Sequence, residues 1–368
     1  MQNDISKVIQ EQVSDAYNTA SPLVIQANNT KAFYGHTIKG TPLIINQHRG
    51  IISYEPTELV ITARAGTPLD EIKQALGDQN QQLAFEPPLF SISETESDIQ
   101  ATKTRCATLG GTVACGFSGP ARANKGSVRD FVLGCEIING KAEPLKFGGQ
   151  VMKNVAGYDV SRLMCGSLGT LGVILNVSLK VLPKPEKEIS LCFSLTREDA
   201  SNKLTQWNAK PYPITASCYY NGTLTLRLAG NAKAVQATKK ILGGEELENS
   251  QIFWHSIKEQ THEFFNTEKV IWRLSVKPDA ILNIDTDKST GILTEWHGAL
   301  HWVKTNTPEN ILRHNIEQHG GHAILYKNGN NSQELFHPLT EPLFRIHRNI
   351  KKSFDPENIL NRNKMYSF

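Results

Sequence analysis

The chain has 368 residues, 39% hydrophobic and 20% charged, which is typical of a globular protein with about two domains. Its 39 basic and 36 acidic residues give a formal charge of +3, too small a positive field for a nucleic-acid partner. Since no apolar run approaches the roughly 20 residues that span a bilayer, and Asp4 and Glu11 are among the early residues, we expect neither a membrane span nor a signal peptide. We expect a cytoplasmic protein that docks on a membrane at most peripherally.

Hydrophobic periodicity and turn residues predict the elements of the first half of the chain. In chain order they are a helix at 5–16, strands at 23–25 and 59–63, a helix at 68–76, an unassigned polar stretch at 91–105, a hairpin of 131–138 with 145–147, and a strand at 173–181. Thr67 is expected to cap the second helix, with Pro68 at its first position and Gly77 at its end. Asn139-Gly140 is the expected hairpin turn.

The second half predicts an antiparallel sheet with helices on one face, an α+β arrangement. Its predicted elements are a strand at 189–195, a helix at 197–207, a hairpin of 214–220 with 223–228, strands at 270–276, 293–303 and 323–326, and a basic helix from 343. Pro183 and Pro185 indicate a domain boundary. We therefore divide the chain into domains at 1–185 and 186–340 and a C-terminal segment at 341–368.

Two glycine-dense segments are the strongest chemical signal in the sequence. The first is Leu109-Gly110-Gly111-Thr112-Val113-Ala114-Cys115-Gly116-Phe117-Ser118-Gly119, and the second runs over 157–172. Small side chains let a ligand approach the main chain, and successive N–H groups in turns form concavities that bind anions such as a pyrophosphate. The spacing matches neither a Walker A loop nor a Rossmann fingerprint.

These segments, in their order along the chain, resemble the FAD-linked oxidases of the vanillyl-alcohol oxidase type. Within that type, the similarity is greatest to the FAD-binding E subunits of bacterial glycolate oxidases. The residues that carry the resemblance are the strand and loop at 24–32, Ala65-Gly66-Thr67-Pro68, Leu109-Gly110-Gly111, Ser127-Val128-Arg129-Asp130-Phe131-Val132-Leu133-Gly134, Phe147-Gly148-Gly149-Gln150-Val151-Met152-Lys153-Asn154, Gly157-Tyr158-Asp159 and Gly169-Thr170-Leu171-Gly172. The resemblance covers most of the chain and is dense to about residue 183.

The resemblance implies an α+β fold with a two-subdomain FAD-binding domain and an antiparallel α+β cap domain. It also implies that the C-terminal segment returns to the FAD domain. The cofactor-binding residues that it implies are Ala27, Asn28, Asn29, Thr30, Lys31, Leu109, Gly110, Gly111, Ala114, Ser118, Gly157, Gly169, Gly172 and Ile174. We expect the FAD to be noncovalent, because the first loop offers neither His nor Cys for attachment.

The sequence departs from this family in two places at the predicted FAD site. Many relatives have consecutive glycines where this chain has Ala27-Asn28-Asn29, and asparagine tolerates left-handed φ better than most other residues. The Asn-Pro-Gly-Lys turn common near the C-terminus is here Asn361-Arg362-Asn363-Lys364. We therefore expect the first loop to be a weaker amide nest than in relatives.

No residue is assigned as catalytic, since the His-x-Gly-Asp-Gly-Asn-x-His motif of the family's partner subunit is missing. If 296–302 is a strand, His297 and His301 share a face and are candidates for handling a hydroxyl proton. Arg273 and Arg227, on strands taken as neighbours, are candidates for a carboxylate clamp. Ordinary surface roles remain open for all four.

Neither the cysteines nor the late histidines predict a metal site. The six cysteines have no C-x-x-C spacing, and His319-Gly320-Gly321-His322 more simply closes a helix at Gly320.

The resemblance implies an FAD-dependent oxidoreductase subunit that oxidises glycolate, a small 2-hydroxy acid, to glyoxylate. The implied partners are a second FAD-binding catalytic subunit and an iron–sulfur subunit that passes electrons to quinone, with peripheral membrane association through the complex. Two alternatives stay open. One is a free-standing FAD-dependent hydroxy-acid or alcohol oxidoreductase, and the other is a non-catalytic assembly subunit whose flavin site has decayed.

Overall fold

The computed structural model describes residues 4–95, 102–149, 159–280, 282, 284–287, 291–329 and 334–368. The chain forms two compact units. Unit 1 comprises Met1–Phe117, Ser127–Pro183 and Pro338–Phe368, and unit 2 comprises Ser118–Gly126 and Lys184–His337. Each unit has a hydrophobic core of its own, and the mixed helix and antiparallel-sheet architecture confirms the predicted α+β class.

The α-helices of the described residues are α1 (Ser6–Asn18), α2 (Leu69–Asp78), α3 (Leu109–Cys115), α4 (Arg122–Lys125), α5 (Val128–Phe131), α6 (Val160–Leu163), α7 (Arg197–Asn208), α8 (Ala232–Leu242), α9 (Ser250–Glu259), α10 (Glu309–Gln318) and α11 (Glu341–Phe354). Short 3₁₀ helices lie at Glu263–Phe265 and Trp296–Gly298.

The strands are β1 (Leu23–Gln26), β2 (Thr41–Ile44), β3 (Ile51–Glu55), β4 (Val60–Arg64), β5 (Gln81–Gln82), β6 (Ile92–Thr95), β7 (Thr102–Arg105), β8 (Val132–Ile138), β9 (Pro144–Gly148), β10 (Val173–Lys180), β11 (Leu182–Pro183), β12 (Lys187–Ser194), β13 (Ile214–Tyr220), β14 (Thr223–Gly230), β15 (Glu245–Glu246), β16 (Ile271–Ser275), β17 (Ile292–Glu295), β18 (Leu300–Lys304) and β19 (His322–Lys327).

Unit 1 is built on a five-stranded antiparallel sheet in the order β3-β4-β10-β8-β9. The central strand β10 is buried at six of its eight positions, as its run of branched apolar residues predicts. A separate parallel pair, β1 and β2, lies beside the C-terminal tail, since the N–H of Leu23 donates to Ile359 O at 2.7 Å and that of Asn361 to Leu23 O at 3.0 Å. The tail thereby helps to fix the loop that follows β1.

Unit 2 is an eight-stranded antiparallel sheet in the order β15-β12-β14-β13-β17-β18-β16-β19. The predicted hairpin of β13 and β14 is confirmed, and its turn residues Asn221 and Gly222 have φ of 49° and 77°. Positive φ at both central positions is the geometry that Asn-Gly favours in a two-residue hairpin.

The predicted strand at 293–303 is wrong, because the chain reverses in its middle. It forms β17 and β18, which pair antiparallel around a turn at Trp296 and His297, with φ of 53° and 58°. The sequence did not predict this turn, because neither Trp nor His is a usual turn residue and apolar residues lie on both sides of it.

The expected cap of α2 is also wrong, because Pro68 rather than Thr67 precedes the helix and Gly77 lies inside it. The Thr67 hydroxyl instead accepts from the Gly50 amide at 2.9 Å.

The predicted placement of the helices on one face of the second sheet is wrong as well. Helices α7 and α8 pack against the Leu191 side of β12, whereas Trp254 of α9 reaches Ser190 on its opposite side at 2.8 Å.

Candidate functional site

Unit 1 contains a cavity of about 370 Å³, within the range of small-molecule sites. Its wall comes from four segments: the loop after β1, the chain leading into β2, the first turns of α3 with the segment before β10, and the C-terminal tail. The residues that line it are Val24, Ile25, Gln26, Ala27, Asn28, Asn29, Thr30, Lys31, Ala32, Tyr34, Thr37, Ile38, Ile45, Thr108, Gly110, Gly111, Ala114, Cys115, Leu168, Gly169, Gly172, Ile174, Asn361 and Lys364. We call it the unit 1 cavity.

The loop after β1 presents backbone N–H groups at the unit 1 cavity. The backbone N–H groups of Asn28, Asn29 and Thr30 have no acceptor among the described residues. Asn29 has φ of 54°, a left-handed conformation that asparagine adopts more readily than most residues other than glycine. The side chain of Asn28 fastens the loop by donating to Cys106 O at 2.9 Å. Three N–H groups without an acceptor beside a cavity are what an anion-binding nest requires.

The first glycine-dense segment does not form the predicted amide concavity at its start. Residues Leu109, Gly110 and Gly111 open helix α3, and their N–H groups donate to Thr67 O, Ala65 O and the Thr108 hydroxyl at 2.9, 2.8 and 3.4 Å. Gly110 allows close packing instead. A β-carbon placed on Gly110 would lie 2.6 Å from the Ala65 β-carbon.

The C-terminal tail joins the second glycine-dense segment to the first loop through Asn361. Its side-chain amide donates to Leu168 O at 2.7 Å, and its carbonyl oxygen accepts from the Ile25 N–H at 2.8 Å. Gly169 has φ of 71°, and a β-carbon there would lie 2.8 Å from Nδ2 of Asn361. Glycine is therefore required at residue 169 both for conformation and for space.

The charged side chains among the described wall residues of the unit 1 cavity are both lysines. No Asp or Glu is among the described lining residues, whereas Lys31 and Lys364 both are. Burial lowers the pKa of Lys364, whose ammonium donates to His36 O at 3.0 Å. Burial raises the pKa of the Cys115 thiol, and Lys31 and Lys364 act in the opposite direction on it. A wall with this charge favours an anionic ligand.

The predicted cofactor residues fall into four groups. Those on the cavity wall are Ala27, Asn28, Asn29, Thr30, Lys31, Gly110, Gly111, Ala114, Gly169, Gly172 and Ile174. Leu109 is 1% exposed and belongs to the core of unit 1, Ser118 belongs to unit 2, and Gly157 lies outside the described residues.

Sequence reasoning missed several residues on the same wall, among them Tyr34, Thr37 and Ile38. It also left out Asn361 and Lys364, although they keep the first and last residues of the family's C-terminal turn.

The catalytic candidates of unit 2 do not form one cluster. Arg273 pairs in register with Trp302, whereas His301 pairs with Leu274, so Arg273 and His301 face opposite sides of the sheet. His297 lies in the turn between β17 and β18, where its Nε2 is 2.6 Å from Asn124 Oδ1. Arg227 lies on β14, separated from the Arg273 strand by three others, which corrects their assignment as neighbours.

The two candidate imidazoles are neutral near pH 7. Burial lowers the pKa of His297 to about 4, and burial with the Arg197 charge lowers that of His301 to about 4. His301 Nδ1 is 2.9 Å from the Thr294 hydroxyl, while His301 Nε2 and His297 Nδ1 have no partner among the described residues. A neutral nitrogen of this kind is able to accept a proton.

Within the described part of the chain, no group of three or more His, Cys, Asp or Glu side chains is placed to hold a metal ion. His319 ends α10, and Gly320 follows with φ of 66°, as a helix stop requires. None of the helices described is both long and apolar enough to cross a membrane.

Comparison with known proteins gives a close relative by sequence and a shared fold by structure. The chain is 43% identical over 364 residues to the glycolate oxidase subunit GlcE of Escherichia coli, which covers 99% of this chain and 98% of that protein. It is 27% identical to the glycolate oxidase subunit GlcD of Bacillus subtilis over 49% of this chain and 36% of that protein. No family model matches.

Among solved structures, an alkyldihydroxyacetonephosphate synthase superposes with a TM-score of 0.66 at 14% identity, over 96% of this chain and 75% of that one. That likeness establishes a shared fold. The sequence identity extends over nearly the whole length of both chains, and so the chain belongs to the family of glycolate oxidase E subunits, within the FAD-linked oxidases that its motifs predicted.

Proposed function

We propose that the chain is the FAD-binding E-type subunit of a complex that oxidises glycolate to glyoxylate. The observation that carries the proposal is the unit 1 cavity, with two lysines, an amide nest without acceptors and no carboxylate on its described wall. An amide nest flanked by cations is the arrangement that binds a phosphate or pyrophosphate. The FAD diphosphate would lie against Asn28, Asn29 and Thr30, with Lys31 and Lys364 beside it.

The chain's own residues would orient the cofactor and exclude water from it. Gly110 and Gly111 let the wall approach closely, and Asn361 locks the loop and the Gly169 segment together. When bound, FAD supplies the two-electron acceptor for oxidation of a CH–OH group, while the protein supplies position and electrostatics.

Noncovalent attachment is supported by the chemistry of the wall. Cys115 is the thiol on it, no histidine is among its described residues, and burial raises the Cys115 pKa. A neutral buried thiol is a poor nucleophile for bonding to a flavin.

The names of the relatives support the substrate and the partners. The E. coli protein is a glycolate oxidase subunit, and a second kind of subunit, GlcD, matches 49% of this chain. We therefore propose a GlcD-type FAD subunit as a partner, an iron–sulfur subunit as the next electron carrier, and peripheral contact with the membrane through that complex.

An absorbance spectrum of the purified chain tests the proposal, recorded alone and with the partner subunits, before and after glycolate. We expect a flavin spectrum in the isolated chain, release of all flavin on denaturation, and bleaching by glycolate only with partners. Bleaching of the isolated chain would instead support the free-standing oxidoreductase. A colourless chain that takes up no FAD would support the decayed assembly subunit.

A further inference from the structure

Arg273 is a half-buried cation, and among the described residues no carboxylate forms an ion pair with it. It lies on β16, with its guanidinium 5.3 Å from the centre of the Trp296 ring and 5.9 Å from that of Trp302. Its hydrogen bond among the described residues is to the Ser275 hydroxyl at 3.4 Å, and it forms no ion pair with a described Asp or Glu. Arginine stacked on aromatic faces keeps its planar N–H edge available for a bidentate partner.

A second guanidinium lies over the same indole. Arg122 of α4 is 4.4 Å from the centre of the Trp296 ring. Burial is the main cause that lowers the pKa of His322, and the charges of Arg273 and Arg122 lower it further. Both guanidinium groups are therefore close enough to His322 to act on its charge. Glu295, a buried carboxylate in this part of the sheet, accepts from Trp302 Nε1 at 2.7 Å. The region around Trp296 therefore combines two cations, an imidazole and the buried Glu295 carboxylate.

The indole that the two arginines share is fixed by strained backbone. Trp296 and His297 both have left-handed φ, a conformation that is strained for residues other than glycine. The turn is held by the His297 N–H donating to the Ser217 hydroxyl at 3.0 Å and by Trp296 Nε1 donating to Gly119 O at 3.1 Å. Strain kept in place by several contacts is typical of ligand sites.

We infer that Arg273, with Arg122 on the shared Trp296 indole, forms a binding site for the carboxylate of a small hydroxy acid. This inference rests on the proposed function, since it identifies where unit 2 would hold the acid group of the substrate. The Arg273 guanidinium donates two parallel N–H bonds to the carboxylate, and Arg122 adds a second positive charge.

Calorimetric titration of the flavin-loaded full chain with glycolate tests the site, with glycolamide as the uncharged probe of the same shape. We expect Arg273→Gln to weaken glycolate binding by roughly 10- to 100-fold, as loss of a charged hydrogen-bonding pair does. Arg273→Lys keeps the charge but loses the planar guanidinium. Its affinity for glycolate is expected to lie between those of the wild type and Arg273→Gln.

Arg197→Gln is the matched control. Arg197 is also half-buried over an aromatic ring, 5.8 Å from the centre of Tyr219, but on the other face of the sheet. If Arg273→Gln lowers the thermal midpoint strongly, Arg122→Gln at its exposed position carries the test, with an expected several-fold loss.

Visible flavin absorbance separates this inference from the proposed function. A wild-type chain that holds FAD but binds no glycolate would overturn the carboxylate site alone. Binding of glycolamide as tight as that of glycolate would overturn it too, as would an unchanged affinity in Arg273→Gln or an equal loss in Arg197→Gln. A chain without flavin would count against the proposed function itself.

Discussion

Replacing Lys364 by methionine tests whether positive charge on the wall of the unit 1 cavity holds the cofactor. The side chain keeps its length and apolar stem but loses the ammonium that contacts His36 O at 3.0 Å. Loss of that contact, in which the donor is charged, costs about 1.5–3 kcal/mol of stability, and this is offset because the buried ammonium no longer has to be desolvated. The free energy of unfolding without FAD should therefore change little.

The effect of Lys364→Met on FAD binding should be larger. A charge-assisted hydrogen bond to a phosphate contributes about 1.5–3 kcal/mol, so the FAD dissociation constant should rise roughly 10- to 100-fold. Because burial lowers the Lys364 pKa, wild-type affinity should also fall as pH rises, starting below the pH at which an exposed lysine loses its proton. The variant should lack that part of the pH dependence.

The assay is a fluorescence titration of the FAD-depleted chain with FAD over a range of pH. Lys352→Met, at an exposed position of helix α11, is the matched control and should bind like wild type. Wild-type affinity in Lys364→Met, or an equal loss in Lys352→Met, would refute a role for this ammonium in cofactor binding.

Four further substitutions test packing and protonation. Asn361→Ala leaves two backbone groups without their partner, and at about 1–3 kcal/mol each the free energy of unfolding of unit 1 should fall by about 2–6 kcal/mol; a loss below about 1 kcal/mol in denaturant titration would contradict this. Gly110→Ala places a β-carbon 2.6 Å from that of Ala65 and should cost about 1–3 kcal/mol. Gly111→Ala, with a nearest contact of 3.2 Å, should stay within about 1 kcal/mol of wild type, and equal losses would show that the close approach is relieved by relaxation. The His301 pKa is about 4 instead of 6.5, so the unfolded chain binds the extra proton between these values, and stability should fall by up to about 3 kcal/mol as pH drops through that window. His301→Gln should flatten that slope by one proton, and an unchanged slope would show that another group causes it.

Local sequence determined most of the elements because the relevant forces act over a few residues. The pattern at 5–16 predicted helix α1, and Asn221-Gly222 predicted the hairpin of β13 and β14, since periodic burial and turn geometry are encoded locally. The same reasoning failed at Trp296, where the reversal is held by Ser217 and Gly119, residues distant in sequence. Local propensity carries no information about such contacts.

The glycine-dense segments show the same limit at the site itself. Their composition predicted close approach to a ligand, and most of the predicted residues do lie on the wall of the unit 1 cavity. Composition did not show that the amides of Leu109 and Gly110 already bond to Thr67 and Ala65. Whether an N–H is free depends on which chain segment packs against it, and that is a tertiary property.

The sequence by itself therefore determined the family, the α+β class and a site near the first loop and the two glycine-dense segments, because motifs and periodicity are written along the chain. Only the tertiary structure decided that Asn361 and Lys364 complete that site, since residues more than 300 positions from the first loop meet it through folding. It also decided that Arg273 and His301 lie on opposite faces of one sheet, because strand register, and not sequence distance, sets the direction of a side chain.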